Sequence, residues 1–521
     1  MKSITVFLLA LMAGIVYSQS ADNKLVVNCD LGKTKISKHV YGHFSEHLGR
    51  CIYEGIWVGE NSSIPNTRGI RNDVVKALKE ISVPNMRWPG GCFADTYHWK
   101  DGIGPRENRK KIVNIHWGGV TEDNGFGTHE FLDFCEQVGC EPVICGNVGS
   151  GTVQEFSEWV EYINSSAESP MTDLRKKNGR EKPWNVKFWA VGNENWGCGG
   201  NMTPEQYADD MRQYSTYIYN YSRDFQNYKI ACGPNSADYN WMEVLMKNPL
   251  NQRMFSGISI HQYFVGNTWG KKGSATQFGE PEWYNNLANC NWVADLLDKH
   301  ITVMDKYDPE RKKGLIFDEW GNWFEQEPGS TPGFLYQQNT LRDAVAAGMV
   351  LNIFNNRAER IKMANIAQVI NVLQSMILTK NEKIVLTPTY YVFKMYKVHH
   401  DATLLPLNLT CNEIKFNPIT NHTKLPYLSA SASKDANGLI HITITNNSAA
   451  EKQNLSIDLR GFLKQLTTVR AEIITAEKIN DFNDFDQTEK VNIKEFKAIK
   501  AKSNSVMIEI PSKSVVMLEL K

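Results

Sequence analysis

The 521-residue chain has no surplus of either charge: Lys plus Arg number 57, and so do Asp plus Glu. That balance removes the basic field on which binding to nucleic acid or an anionic membrane surface depends. Beyond Ser18 no long apolar run occurs, so no membrane span is expected in the mature chain. The ten Cys include no C-x-x-C pair and sit mostly in apolar surroundings, such as Cys135, Cys140 and Cys145, so most are expected as buried free thiols. No H-E-x-x-H, G-x-S-x-G or phosphate-cradling glycine loop is present. These gaps argue against a catalytic metal, a serine nucleophile and a nucleotide cofactor. His43 and His47 are four apart, but they flank Glu46 where a strand passes into a loop, not on a helix.

The N-terminus does carry an apolar segment. Lys2, the run Val6 to Val16 and the Val16-Tyr17-Ser18 stretch read as an export signal over residues 1–20, cleaved near Gln19. The expectation is a soluble, exported protein, periplasmic or extracellular.

Two short stretches then share one form. F-W-A-V-G-N-E-N-W-G (Phe188 to Gly197) and G-L-I-F-D-E-W-G (Gly314 to Gly321) are apolar strands that end in Glu194 and Glu319, each followed closely by Trp. Six further β-rich runs, centred near Val40, Met86, Ile144, Ile230, Ile258 and Ala364, alternate with amphipathic segments. The amphipathic segments include Asn72 to Ile81, Thr128 to Val138, Pro204 to Phe225 and Asn291 to Tyr307. Near-continuous apolar strands separated by helices imply a parallel sheet, and eight such units imply an α/β (β/α)8 TIM barrel over 37–390. Every strand end would then lie on one rim, bringing together Glu46, Gly90-Gly91-Cys92, Asn147, Asn193-Glu194, Asn235, His261, Tyr263, Glu319 and Gln368. From about residue 391 the period changes to two, as in Ile440, Ile442 and Ile444 and in Val516, Leu518 and Leu520. That pattern predicts an antiparallel β-sandwich, jelly-roll-like, with one wet face, over 391–521. The strand near Val26, within 21–36, is expected to join it.

Two carboxylates with Asn and Trp neighbours and no cofactor motif point to glycoside hydrolysis, one carboxyl protonating the leaving oxygen and the other meeting the positive centre. The sequence resembles the α-L-arabinofuranosidases of glycoside hydrolase family 51. The matching segments include G-H-F-S-E-H-L-G (Gly42 to Gly49), M-R-W-P-G-G-C-F (Met86 to Phe93), V-G-N-E-N-W-G (Val191 to Gly197), I-S-I-H-Q-Y-F (Ile258 to Phe264), D-E-W-G-N-W (Asp318 to Trp323) and A-N-I-A-Q-V-I-N-V (Ala364 to Val372).

The resemblance implies Glu194 as acid/base, Glu319 as nucleophile, Asn193 on the 2-hydroxyl and Tyr263 orienting Glu319. It implies Glu46, Cys92, His261 and Gln368 as furanose contacts and Trp117 as an aromatic lining the pocket. Glu46 pairing with Arg50, and Trp117 as plain core, stay open. Further implications are an exo-acting, retaining enzyme on arabinan- or arabinoxylan-type oligo- or polysaccharides, no cofactor or metal, and a homo-oligomer, a hexamer by family habit. The alternatives are another glycoside (galactofuranoside, xyloside or β-glucan) or a non-catalytic carbohydrate-binding protein.

Overall fold

The computed structural model describes residues 23–462, 466–502 and 504–521. Eight strands close into a parallel barrel in chain order. They are β1 (Gly42–Phe44), β2 (Asn85–Trp88), β3 (Glu141–Gly146), β4 (Phe188–Val191), β5 (Tyr228–Ala231), β6 (Gly257–Phe264), β7 (Gly314–Asn322) and β8 (Ile361–Ala367). β8 returns to pair with β1 through Asn365 and Gly42. The pleat sorts the side chains. Phe188, Ala190, Val143, Cys145, Ile230, Ile316 and Met363 form one small cluster within the barrel, while Trp189 and Val191 join the larger core beneath the helices.

The helices follow their capping chemistry. Thr203 accepts from the Gln206 amide and Pro204 occupies the first turn, starting the helix Pro204–Tyr217. That helix ends short of the expected Phe225. Asn220 draws the following chain into a loop by donating to the Ser222 and Phe225 carbonyls and accepting from the Asn227 amide. The helix expected from Asn291 instead begins at Glu280, where Glu282 accepts from the Gly279 amide. Among the described residues no helix is long and apolar enough to cross a membrane. The apolar segment read as an export signal lies outside the described residues.

The C-terminal region forms two sheets. One orders Leu407–Thr410, Asn23–Asn28, Gln453–Arg460, Ser505–Ile510 and Ile499–Lys502; the other orders Thr403–Leu404, Leu428–Lys434, Ile440–Asn446, Ser514–Leu520, Thr468–Ile474 and Ile493–Glu495. Leu25, Val27, Ile457 and Ile508 of the first meet Ile442, Ile444, Val516 and Leu518 of the second in one buried core. The pairing is antiparallel except where Asn23–Asn28 runs parallel to Gln453–Arg460.

The expected wet face of the Ile440–Asn446 strand is not wet. Every residue of that strand is buried, because its polar face packs on the barrel helix Leu341–Asn355. Asn352 Oδ1 accepts from Thr443 Oγ1 at 2.8 Å, Ser431 Oγ at 2.9 Å and Tyr396 OH at 3.2 Å. His399 bridges Ser433 and Thr443 at 2.7 and 3.1 Å. The alternation therefore records a polar seam between two domains, not a solvated surface. Removing an acceptor from such a seam strands its donors. Asn352→Ala is expected to destabilise the protein by about 2–3 kcal/mol, seen as a lower urea midpoint by tryptophan fluorescence. An unchanged midpoint would mean that water replaces the amide.

Candidate active site

Asp318 and Glu319 are consecutive on β7, and a regular pleat would send them to opposite faces. A bulge prevents this. Against β6 the register passes from Ser259↔Ile316 to His261↔Glu319, so β7 carries one residue more than its neighbour, and the pairing with β8 shifts between Phe317 and Trp320. Both carboxylates consequently reach the same buried cations, while Trp320 turns outward to meet Phe354 edge-on and stack on Phe393.

Arg87 on β2 is the hub. Its Nη1 donates to Glu319 Oε1 at 2.7 Å and its Nη2 to Asn193 Oδ1 at 2.6 Å, and its Nε lies 3.5 Å from Asp318 Oδ2. The guanidinium also stands 4.5 Å over the Phe44 ring. Tyr263 OH donates to Glu319 Oε2 at 2.8 Å, so each oxygen of Glu319 has its own donor. Gly90 and Gly91 pass close by: a Cβ on Gly91 would come within 3.0 Å of Glu319 Oε1, and one on Gly90 within 2.6 Å of Glu46 Cγ.

Glu194 lies in the turn just past β4, in the left-handed region at φ 42°, which aims its side chain across the rim. His261 Nδ1 bonds its Oε1 at 2.9 Å, and His261 Nε2 bonds Asp318 Oδ1 at 2.9 Å. Burial, ahead of the neighbouring Glu319 charge, pushes Glu194 above the usual carboxylate range, while the His261 bond pulls the other way. Burial opposes the charge on His261, yet Glu319 and Asp318 outweigh it and raise the imidazole to about 10. Burial also works against Asp318, but Arg87 and His261 hold its carboxyl below the ordinary value. A carboxylate oxygen of Glu194 and one of Glu319 lie within 4.8 Å of each other.

Glu46 faces the pair. Its Oε1 accepts from Trp117 Nε1 at 2.9 Å and the Phe93 amide at 3.2 Å, and its Oε2 from Gln368 Nε2 at 2.9 Å. Burial and then the Glu319 charge push it up to about 7. Arg50 pairs with Glu54 rather than Glu46, while Trp117 is partly buried against the core and donates its indole N–H to Glu46. The Gln368 Oε1 atom is buried without a hydrogen-bond partner. Beyond Glu194 opens a cleft of about 530 Å³ lined by Trp196, Asn235, Gln262, Tyr263, Trp269 and Trp323. Trp269 is 56 % exposed, and Lys272 stands over both its ring and that of Trp323, at 5.0 and 5.6 Å.

Asn147, one of the expected rim groups, serves its own loop, accepting from the Ser150 and Gly151 amides. Cys92 is not a free thiol but is bonded to Cys198; the other eight cysteines are unpaired, and all but Cys411 are buried. Sequence reasoning missed Arg87, Asp318, Asp95 and Cys198. Asp95 accepts from the Val148, Gly149 and Asn193 amides, fixing the turn before Glu194, and burial lifts it to about 7 despite those donors. The one available signal was a charged residue, Arg87, set between Met86 and Trp88 in a run read as a strand; the structure buries that whole strand, Arg87 included.

Glu194, His261 and Glu319 are close enough to surround a cation. His261 already bonds a carboxylate through each ring nitrogen, and as an imidazolium it offers no lone pair. The group is thus built as an ion-pair network.

A family model described as "Alpha-L-arabinofuranosidase 1 domain" matches residues 77–279, and another, "Alpha-L-arabinofuranosidase C-terminal domain", matches 318–514. The chain is 53 % identical to the intracellular exo-α-L-arabinofuranosidase of Bacteroides ovatus over 98 % of both chains. It is 34 % identical to α-L-arabinofuranosidase C of Emericella nidulans, over 79 % of this chain and 82 % of that one. The crystal structure of the family 51 arabinofuranosidase from Xanthomonas axonopodis pv. citri superposes with a TM-score of 0.93 at 44 % identity, covering 96 % of this chain and all of that one. The α-L-arabinofuranosidase of Thermotoga maritima, solved as an arabinose complex, superposes at 0.83 with 28 % identity, over 95 % and 99 % of the two chains. The B. ovatus protein is named intracellular, which overturns the expectation of a signal peptide and export. With the paired rim carboxylates, the barrel-plus-sandwich fold and matches along nearly its whole length, the chain belongs to the α-L-arabinofuranosidases of glycoside hydrolase family 51.

Proposed function

We propose that this glycoside hydrolase releases terminal α-L-arabinofuranosyl residues with retention, Glu319 acting as nucleophile and Glu194 as acid/base. The carrying observation is that an oxygen of each lies within 4.8 Å of one of the other, close enough for the carboxyl separation of about 5–5.5 Å used in double displacement. Arg87 and Tyr263 orient Glu319 toward the anomeric carbon. Glu194 Oε1 is taken by His261, so the transferable proton sits on Oε2 and passes to the leaving oxygen. In the second step the same carboxylate takes a proton from the water that breaks the glycosyl-enzyme ester. Asn193, pinned through Arg87, is set to bond the 2-hydroxyl, and Glu46 with Gln368 to bond the remaining furanose hydroxyls. The T. maritima relative, solved as an arabinose complex, supports arabinose as the sugar bound, and the name of the B. ovatus relative supports exo action. The exposed Trp269 and its partner Trp323 give the acceptor sugar of an arabinan- or arabinoxylan-type chain a face to stack on. A homo-oligomer, hexameric by family resemblance, completes the reading; light scattering on purified protein measures it.

A panel of nitrophenyl glycosides tests the substrate: fast release from α-L-arabinofuranoside is expected, and preference for a galactofuranoside, a xyloside or a β-glucan probe would replace it. Glu319→Ala should abolish turnover of every substrate. Glu194→Ala should lower the rate on natural linkages by about 10²–10⁴-fold while sparing the first step on nitrophenolates, which leave without a proton. A burst should then appear, and azide should speed the slow step and yield an azide of retained configuration. Rescue of Glu319→Ala with retention would reverse the two roles.

The alkaline limb of kcat/KM reports Glu194 losing its proton, and burial places that limb above the ordinary carboxylate range. His261→Asn removes a cation that favours the ionised acid, so the limb should move to higher pH as kcat falls. Movement to lower pH would mean that the limb belongs to another group.

A further inference from the structure

The Cys92–Cys198 disulfide crosses the rim between the turn after β2 and the turn after β4. Nothing in the mechanism above uses it. The Cys198 turn is folded on Glu194 itself, because the Gly197 and Gly199 amides both donate to the Glu194 carbonyl, at 2.7 and 3.1 Å. That fold places Cys198 Sγ 3.6 Å from Glu194 Oε2, the oxygen His261 leaves free. Asn193 Nδ2 lies 3.9 Å from the same sulfur. On the opposite side Cys92 directly follows Gly90 and Gly91, which pack on Glu46 and Glu319. One covalent bond therefore ties the backbone on the nucleophile's side to the turn carrying the acid.

We propose that the Cys92–Cys198 couple is a redox-responsive positioning device for Glu194: the disulfide clamps the turn and leaves Oε2 free to hold the transferable proton, and the reduced Cys198 thiol donates to that oxygen and weakens the acid. The inference rests on Glu194 being the acid/base. Opening is thiol–disulfide exchange. Two molecules of a small thiol supply two electrons and two protons, the Sγ–Sγ bond breaks to give two cysteine thiols, and the small thiol leaves as its own disulfide. A disulfide sulfur has no proton to donate, whereas a thiol does, and donation to a carboxylate favours its ionised form. The other groups facing Glu194 are Arg87 on β2, Cys232 after β5, His261 and Tyr263 on β6, and Glu319 on β7, with Asp95 on the Asn193 amide and Asp318 on His261 one contact further; none of them takes part in the exchange.

The test is the pH profile of kcat/KM for the native enzyme equilibrated with oxidised glutathione or with dithiothreitol. Reduction should move the alkaline limb down by about one pH unit, a loss of about tenfold at pH values above both limbs, reversed on reoxidation. Alkylation in denaturant should count eight thiols before reduction and ten after it. Cys92→Ala leaves Cys198 without an intramolecular partner and should show the lower limb in dithiothreitol and after its removal, whereas oxidised glutathione caps that thiol as a mixed disulfide and should abolish the lower limb. Cys198→Ala should keep the higher limb in both, with its loss confined to kcat. Identical limbs in the two buffers while the thiol count changes would overturn the proposal, as would ten thiols under oxidant or a redox response that survives in Cys198→Ala. A limb that remains in Glu194→Gln would instead remove the acid/base assignment on which the proposal stands.

Discussion

A guanidinium buried inside a barrel has to be neutralised where it lies, and Arg87 organises the rim around that requirement. Its partners come from β4 and β7, so a single side chain fixes the mutual position of Asn193, Asp318 and Glu319. Asp318 in turn holds His261, which holds Glu194. The two carboxyls of the proposed double displacement are thus linked by charge-assisted bonds through Arg87, Asp318 and His261. Such a chain is costly to break at any point, since removing one member leaves another buried charge unpaired. The same wiring separates the environments of the two acids: Glu319 receives two donors, whereas Glu194 is burdened by burial and by its neighbour's charge.

Much of this was legible in residue order. Strand periodicity located all eight barrel strands, and their polar ends named most of the rim. What stayed hidden depended on geometry that spacing does not encode. Asp318 reads as the wrong face of a strand until the bulge at Phe317 to Trp320 is seen. Arg87 looks like an intruder in an apolar strand, with nothing nearby in sequence to pair it. Asn147 sits at a strand end like the others, but its side chain is claimed by its own turn. The alternation in Ile440–Asn446 was correct as periodicity and wrong as solvation, because a row of Ser and Thr facing Asn352 and His399 has the same pattern as one facing water. Cys92 and Cys198, 106 residues apart, have no local signature as a pair.

The sandwich has a further bearing on how the molecule is put together. The strand Asn23–Asn28 lies between Leu407–Thr410 and Gln453–Arg460, so the first described strand waits for partners made after the entire barrel. In topological terms the barrel is an insert within the sandwich. During synthesis the barrel has its complete set of strands in hand while the early strand still presents two unpaired edges, and closing that sheet is a contact of very high sequence separation. The catalytic half can assemble on local information. The half without a catalytic cluster is the one whose folding has to remember both ends of the chain.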